Sequence, residues 1–284
     1  MKYHIKEDIE LTRHLLGCSL EELSKGIGIS RMTLHRWDVG RVVPSESALS
    51  SFYEYAFNRG VRLNQIKAQL YREDARAPQT LLFHGSKSGI EGKLRLDASR
   101  RNTDFGQGFY CGETLDQAAM FVSDFDRACL YMIYLDSSDM KEKRFVVDQD
   151  WMLTIALFRG RLSEYAGHPR LIELMKRVDS ADIIVAPIAD NRMYEVIDSF
   201  IAGEITDEQC RHCLSATDLG NQYVLRSKQA LEHVLVMEKC FLCPSEKRQY
   251  MMRREESSSN GIAKAKAARR QYRGQGLYID EVFS

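Results

Sequence analysis

"LLFHGSKSGI", residues 81–90, and "TDFGQGFYCG", residues 103–112, are the two stretches on which the fold turns. The first is an apolar run that reads as a buried strand and ends on His84, followed at once by Gly85. A histidine in a core would account for His84 alone, not for the glycine beside it. A histidine and a glycine at a strand end offer a side-chain hydrogen bond next to bare backbone. In the second stretch Gly106 and Gly108 flank Gln107, and Phe109 and Tyr110 follow. Glycine lets a ligand approach the main chain at Gly108, and an adjacent aromatic ring can stack on a flat ligand. The pair suits a ligand that carries an amide-bearing aromatic ring and a ribose. The chain has no P-loop and no G-x-G-x-x-G, so a nucleotide would not be held in the usual phosphate cradle.

Around these stretches the chain alternates texture. Residues 80–243 hold short apolar strands: "TLLFHGS", "FGQGFYCG", "ACLYMIYLD", "RFVVD", "DIIVAPIAD" and "NQYVLRS". Helical patterns lie between them, notably "TLDQAAMFVSDFDRA", "DWMLTIALFRGRL", "PRLIELMKRV" and "KQALEHVLVM". Strands and helices mixed without steady alternation predict an α+β domain, not a doubly wound sheet.

Residues 1–66 read instead as an all-α domain. Ile9, Leu11, Leu15 and Leu16 mark one helical face. In "SLEELSKGIGISRMTLHRWDVGRVVPS", residues 19–45, Ser19 and Glu22 form a capping box, and Leu20 and Leu23 point inward. Gly26 to Gly28 make a tight turn, and Ser30 caps a helix over Arg31 to Asp38. Gly40 and Pro44 close the unit before one more amphipathic helix. This is a helix-turn-helix arrangement. Ser19, Leu23, Gly28, Ile29, Ser30, Trp37, Asp38, Gly40 and Pro44 together resemble the bacterial repressor type of helix-turn-helix. That resemblance implies that Arg31, Met32, Thr33 and Arg36 face the major groove of DNA. A single such module makes few phosphate contacts, so a dimer or higher homo-oligomer is expected on the operator. A protein-binding or dimerising role is the alternative.

Residues 67–79, charged and ending near a proline, read as a linker. Residues 244–284 read as a basic C-terminal tail, either a solvated helix or a mobile segment, or a contact for nucleic acid or a partner.

The ordered set "LLFHGS", "FGQGFY" and "NQYVLRS" resembles the ADP-ribosyltransferase signature of the poly-ADP-ribose polymerase and diphtheria-toxin branch, over roughly residues 80–238. It is also similar to a bacterial family of uncharacterised domains, the domain of unknown function 3990 family, which shares "HGS", "DFGxGFY", "DIIxxxIAD" and "QY". The resemblance implies a split β-sheet domain that uses NAD as substrate. It implies that His84 hydrogen-bonds the adenosine ribose, that the Gly85 backbone binds the nicotinamide carboxamide, and that Ser86 supports that side. Tyr110 would stack on nicotinamide, and Phe121 occupies a second stacking position. Gln222 matches the third catalytic residue, where the branch usually has glutamate. These side chains are then expected to converge on one cleft. A glutamine can orient the ribose hydroxyl but brings no full charge, which favours mono-transfer or slow transfer.

Arg100 is a candidate for the NAD pyrophosphate, and Arg101 beside it for the pyrophosphate or the target; adjacent arginines are also common on plain surfaces. Asp190, Asn191 and Arg192 border the cleft or cap the next helix. "CRHC" at 210–213 and "CFLC" at 240–243 have metal-ligand spacing, but neither is flanked by turn glycines, so no metal site is expected.

Bulk properties frame this reading. The chain has 284 residues, formal net charge zero and 44% hydrophobic residues. Neutrality argues against a protein that coats nucleic acid over its whole surface. No apolar run is long enough to span a bilayer, so no membrane contact is expected. A charged start and seven cysteines without an export signal suggest reduced thiols in the cytosol. The expected function is therefore a cytosolic NAD-dependent mono-ADP-ribosyltransferase fused to a DNA-binding domain, of the kind found in toxins or defence effectors, where an antitoxin partner is possible. The alternative is a transcriptional regulator that binds NAD or ADP-ribose without catalysis; a third possibility is an assembly module. The acceptor of the ADP-ribose is left open.

Overall fold

The computed structural model describes residues 3–284. They form two compact units: residues up to Gly92, Thr114–Leu135 and Leu235–Arg253 in unit one, and Lys93–Glu113, Asp136–Val234 and Arg254–Ser284 in unit two. The architecture is α+β, a helical N-terminal region followed by strands and helices.

Unit one opens with α1 (Ile5–Leu16), α2 (Leu20–Ile27), α3 (Arg31–Asp38), α4 (Glu46–Asn58) and α5 (Leu63–Asp74). The sequence signals act locally. Ser19 accepts from the Glu22 backbone N–H, and the Glu22 carboxylate accepts from the Ser19 N–H, as a capping box requires. Gly28 ends α2 in the left-handed conformation, at φ 71°. The Ser30 hydroxyl accepts from the Thr33 N–H and starts α3. Ile9, Leu23, Leu34, Trp37, Phe52 and Ala56 then close a shared core. Leu15 departs from expectation and is exposed, while Asp8 takes an inward position on α1.

Asp8 is inside because α5 supplies its partner. Residues 67–74, read as a connector, complete α5, whose inward face is Leu63, Asn64, Lys67 and Ala68. Lys67 Nζ lies 2.8 Å from Asp8 and 3.3 Å from Glu238, all three buried. Burial pulls the Lys67 pKa down, but Asp8 and Glu238 outweigh it and hold the ammonium charged. Tyr53 donates to Asp8, and Tyr71 donates to Glu238 at 3.2 Å. Hydrophobic periodicity alone misses this face because two of its four residues are polar.

The rest of unit one is β1 (Gln79–Ser86), α6 (Leu115–Val122), β3 (Cys129–Asp136), β7 (Val234–Phe241) and the start of α12 (Pro244–Gln271). The strand order is β1-β3-β7. β3, "CLYMIYLD", is buried on both faces, which is why it shows no polar alternation. β7 corrects the sequence reading: "KQALEHVLVM" breaks after a short α11 (Lys228–Glu232) and continues as a strand.

Glu246, near the start of α12, is buried, and its carboxylate accepts two hydrogen bonds from Asn64 Nδ2 at 3.0 and 3.1 Å. Burial raises its pKa from 4.5 to about 7 against the pull of Asn64 and Lys67. A raised folded-state pKa means that this contribution to stability is present below pH 4.5 and is lost as pH climbs through 7. Glu246→Gln should therefore gain stability relative to the wild type between pH 5 and pH 8, by about 3 kcal/mol. Urea denaturation at both pH values measures it; a difference that does not change with pH would contradict the assignment.

Unit two contains β2 (Phe109–Gly112), β4 (Glu142–Arg144), α7 (Gln149–Phe158), α8 (Pro169–Asp179), β5 (Ile183–Pro187), α9 (Asn191–Ile201), α10 (Asp207–Ser215), β6 (Asn221–Leu225), the remainder of α12 and α13 (Ile279–Val282). The order is β4-β5-β6-β2, with β4 parallel to β5 and the other pairs antiparallel. β4 precedes most of the expected "RFVVD" strand, and Val146 within that segment is exposed. Trp151, Met152, Ile155, Leu174, Ile184, Phe200 and Val224 fill the core. The C-terminal segment is docked, not free: Ile279 is buried in that core, and the ring of Phe283 stacks on Tyr165 at 4.3 Å. No helix among the described residues is long and apolar enough to cross a membrane.

Candidate functional site

The glycines of the two opening stretches have steric reasons to be there. A Cβ at Gly85 would meet the Ala118 carbonyl oxygen at 2.6 Å and Val122 Cγ1 at 2.8 Å, so α6 lies against bare β1 backbone. At Gly108 it would meet the Leu225 carbonyl oxygen at 2.8 Å, where β2 pairs with β6. Gly106 adopts φ 73°, a conformation that favours glycine.

In unit one, His84 and Ser86 end β1 with partly exposed side chains. The His84 ring sits 6.2 Å from that of Tyr131. Phe121, on α6, is 60% exposed. Lys87 lies 5.7 Å from its ring centroid.

In unit two the register joins Tyr110 and Gln222. Tyr110 pairs with Val224, and Gly112 pairs with Gln222. Alternate residues of a strand share a face, so Tyr110, Gly112, Gln222 and Val224 lie on one side of the sheet. On the other flank Ala186 of β5 pairs with Gln222. Gln222 thus stands between two small residues.

Tyr110 anchors the loop before it. Its hydroxyl donates to the Gly106 carbonyl at 2.8 Å, accepts from the Phe105 N–H at 3.2 Å and bonds Thr103 at 2.7 Å. Burial raises its pKa to about 12, so it is a neutral phenol at physiological pH. The loop held in this way carries Asp104, which sequence reasoning did not select although it lies inside the quoted stretch.

Asp104 is buried and fully engaged. Its Oδ2 accepts from Gln222 Nε2 at 3.0 Å. Its Oδ1 accepts from Arg159 Nε and Nη2 at 3.0 and 2.9 Å and from the Tyr194 hydroxyl at 2.9 Å. Burial and the Asp104 charge both raise the Tyr194 pKa, which keeps that hydroxyl a donor. Arg159 also lies over the Tyr194 ring, 3.3 Å from its centroid. Gln222 is only 8% exposed. Its second amide hydrogen goes to the Pro187 carbonyl at 3.1 Å. Both donors of the amide are used, and Oε1 is the atom left to accept. Arg159 and Tyr194 stand in "FRG" and "NRMY", which carry no pattern that marks a site.

The other candidates fall as follows. Arg100 and Arg101 are exposed. Asp190 caps α9, its carboxylate accepting from the Arg192 and Met193 N–H groups at 3.1 and 3.0 Å. Cys210 and Cys213 are buried in unit two, and Cys240 and Cys243 in unit one. On α3, Leu34 and Trp37 are buried. Arg31, Met32 and Arg36 are exposed and Thr33 partly so. This geometry is compatible with a helix-turn-helix.

These features define an α+β protein with a helix-turn-helix-compatible N-terminal region and a sheet that carries a buried Asp–Gln pair. Residues 80–235 match the model of the DUF3990 family, described as a protein of unknown function. The match spans more than half of the chain, and the chain belongs to that family. No curated protein and no solved structure matches it.

Proposed function

We propose that this protein is a cytosolic NAD-dependent mono-ADP-ribosyltransferase with a DNA-binding helix-turn-helix. The supporting observation is that Tyr110 and Gln222 share one sheet face, with the Gln222 amide held so that Oε1 is left to accept. The resemblance of "LLFHGS", "FGQGFY" and "NQYVLRS" to ADP-ribosyltransferases supplies the reaction. The bond between ribose C1 and the nicotinamide nitrogen breaks, and its electron pair leaves with nicotinamide. C1 becomes oxocarbenium-like, the acceptor's lone pair forms the new bond to C1, and the acceptor's proton passes to solvent. Contacts that strengthen as charge develops at C1 raise the rate. Gln222 Oε1 accepting from a ribose hydroxyl is one such contact. Tyr110 provides the aromatic surface for nicotinamide. An antitoxin-type protein partner and a homo-oligomer fit the same reading.

A second reading, a transcriptional regulator that binds NAD without catalysis, draws on the uncharged Gln222. Incubation with NAD labelled in the adenylate and a cell extract separates the two. Label transfer with free nicotinamide supports the transferase. NAD binding without either supports the regulator, and no binding contradicts both.

DNA binding has its own test. Arg31 pairs only loosely with Glu21, at 3.9 Å, and its side chain is 70% exposed. If Arg31 and Arg36 each contribute about 1–3 kcal/mol at the operator, Arg31→Ala with Arg36→Ala should weaken DNA binding about thirtyfold or more. Nicotinamide release should be unchanged. A gel shift identical to that of the wild type would favour a protein-partner role.

A further inference from the structure

We propose that Asp104 is a positioning residue that aims and polarises Gln222, supplying through its amide the negative potential that a glutamate would supply directly. The inference rests on the ADP-ribosyl-transfer reading above.

The orientation of the amide is set by its surroundings. Nε2 faces two acceptors, Asp104 Oδ2 at 3.0 Å and the Pro187 carbonyl at 3.1 Å. The flipped amide would place Oε1 against both, so only the observed orientation is satisfied. Asp104 in turn cannot swing away, because Arg159 and Tyr194 fix its other oxygen. Its backbone belongs to the loop tied down by the Tyr110 hydroxyl. Tyr110 of β2, the residue expected to stack on nicotinamide, therefore also anchors the loop that carries the residue orienting Gln222. Asp104 and Gln222 are both buried, where a hydrogen bond to a carboxylate is strong and polarises the group that donates it. Electron density shifts toward Oε1, which becomes the better acceptor for a ribose hydroxyl.

The same geometry accounts for the glutamine. A carboxylate at position 222 would stand about as close to Asp104 as the amide does now, at 3.0 Å. Two carboxylates so placed cannot both ionise, and one must hold a proton. The charge lies one hydrogen bond behind the position where the resembling family carries it.

The test is a charge swap read by nicotinamide release from NAD, using Asp104→Asn, Gln222→Glu and the double variant of the full chain, with thermal unfolding as a check of folding. Asp104→Asn puts an amide donor against either Gln222 or Arg159. It should lower kcat about tenfold to hundredfold while KM changes much less. Gln222→Glu should lose rate comparably, and its rate should recover as pH falls and the two carboxylates share a proton, a trend absent from the wild type. In the double variant the introduced asparagine can accept from Arg159 and Tyr194 through its oxygen and donate to the new carboxylate. Its kcat should exceed that of Gln222→Glu but stay below the wild type, because the Pro187 carbonyl, 3.1 Å from Gln222 Nε2, then lacks its donor. Wild-type kcat in Asp104→Asn, or a double variant no faster than Gln222→Glu, overturns the proposal and leaves the transferase reading standing. If Gln222→Glu does not fold, Asp104→Asn alone decides by the same criterion. A wild-type protein that releases no nicotinamide from NAD overturns the transferase reading, and the positioning role with it.

Discussion

Gln222→Ala should slow nicotinamide release about a hundredfold to thousandfold, the effect of losing a transition-state contact of about 2.7–4 kcal/mol. NAD affinity should change far less, because the hydroxyl contact strengthens only as the glycosidic bond opens. Tyr110→Ala should behave differently: loss of stacking, which acts on ground state and transition state alike, weakens binding, and loss of the hydroxyl that holds the Asp104 loop lowers turnover as well. The truncation at 222 also leaves Asp104 Oδ2 without its donor at 3.0 Å, so some stability is lost together with activity. Steady-state kinetics separates the two substitutions. Equal falls in kcat and in affinity for Gln222→Ala would move it from the reacting centre to the binding surface.

The second large effect lies in unit one and concerns stability. Lys67→Met should cost about 3–5 kcal/mol in urea denaturation, because it removes the cation from a buried pair of carboxylates. The methionine fills the volume of the lysine stem, so packing changes little and the loss reports the charge. Asp8 and Glu238 would each keep a tyrosine donor, and Glu238 would keep His4 Nδ1 at 3.0 Å, but Asp8 would lose the cation that pairs with it. The partners belong to α1, α5 and β7, so the substitution should loosen the helical region where it meets that strand. A loss below about 1 kcal/mol would mean that water reaches the cluster and screens it.

What the sequence made legible follows from where the determinants are local. The capping box at Ser19, the N-cap at Ser30 and the left-handed turn at Gly28 each depend on a few neighbouring residues, and each occurs as expected. β1, β3, β5 and β6 were readable as apolar runs. α5 and β7 were not. Lys67 and Asn64 look like surface residues until Asp8, Glu238 and Glu246 arrive from distant parts of the chain. "HVLVM" continues a helical start, and only pairing within the sheet makes it a strand. The glycines of the opening stretches look like bare backbone for a ligand, yet at Gly85 and Gly108 neighbouring backbone already occupies the space of a side chain. Asp104 was visible as a letter but not as a site, because Arg159, Tyr194 and Gln222 reach it from widely separated positions.

The proposed activity is cleavage of the bond between nicotinamide and ribose in NAD, and chromatographic quantitation of free nicotinamide formed from NAD by the purified protein, alongside Gln222→Ala and Tyr110→Ala, tests it without an acceptor. Nicotinamide should accumulate with the wild type and fall by about a hundredfold or more with Gln222→Ala. Absence of nicotinamide with the wild type, or equal accumulation in all three proteins, would contradict it.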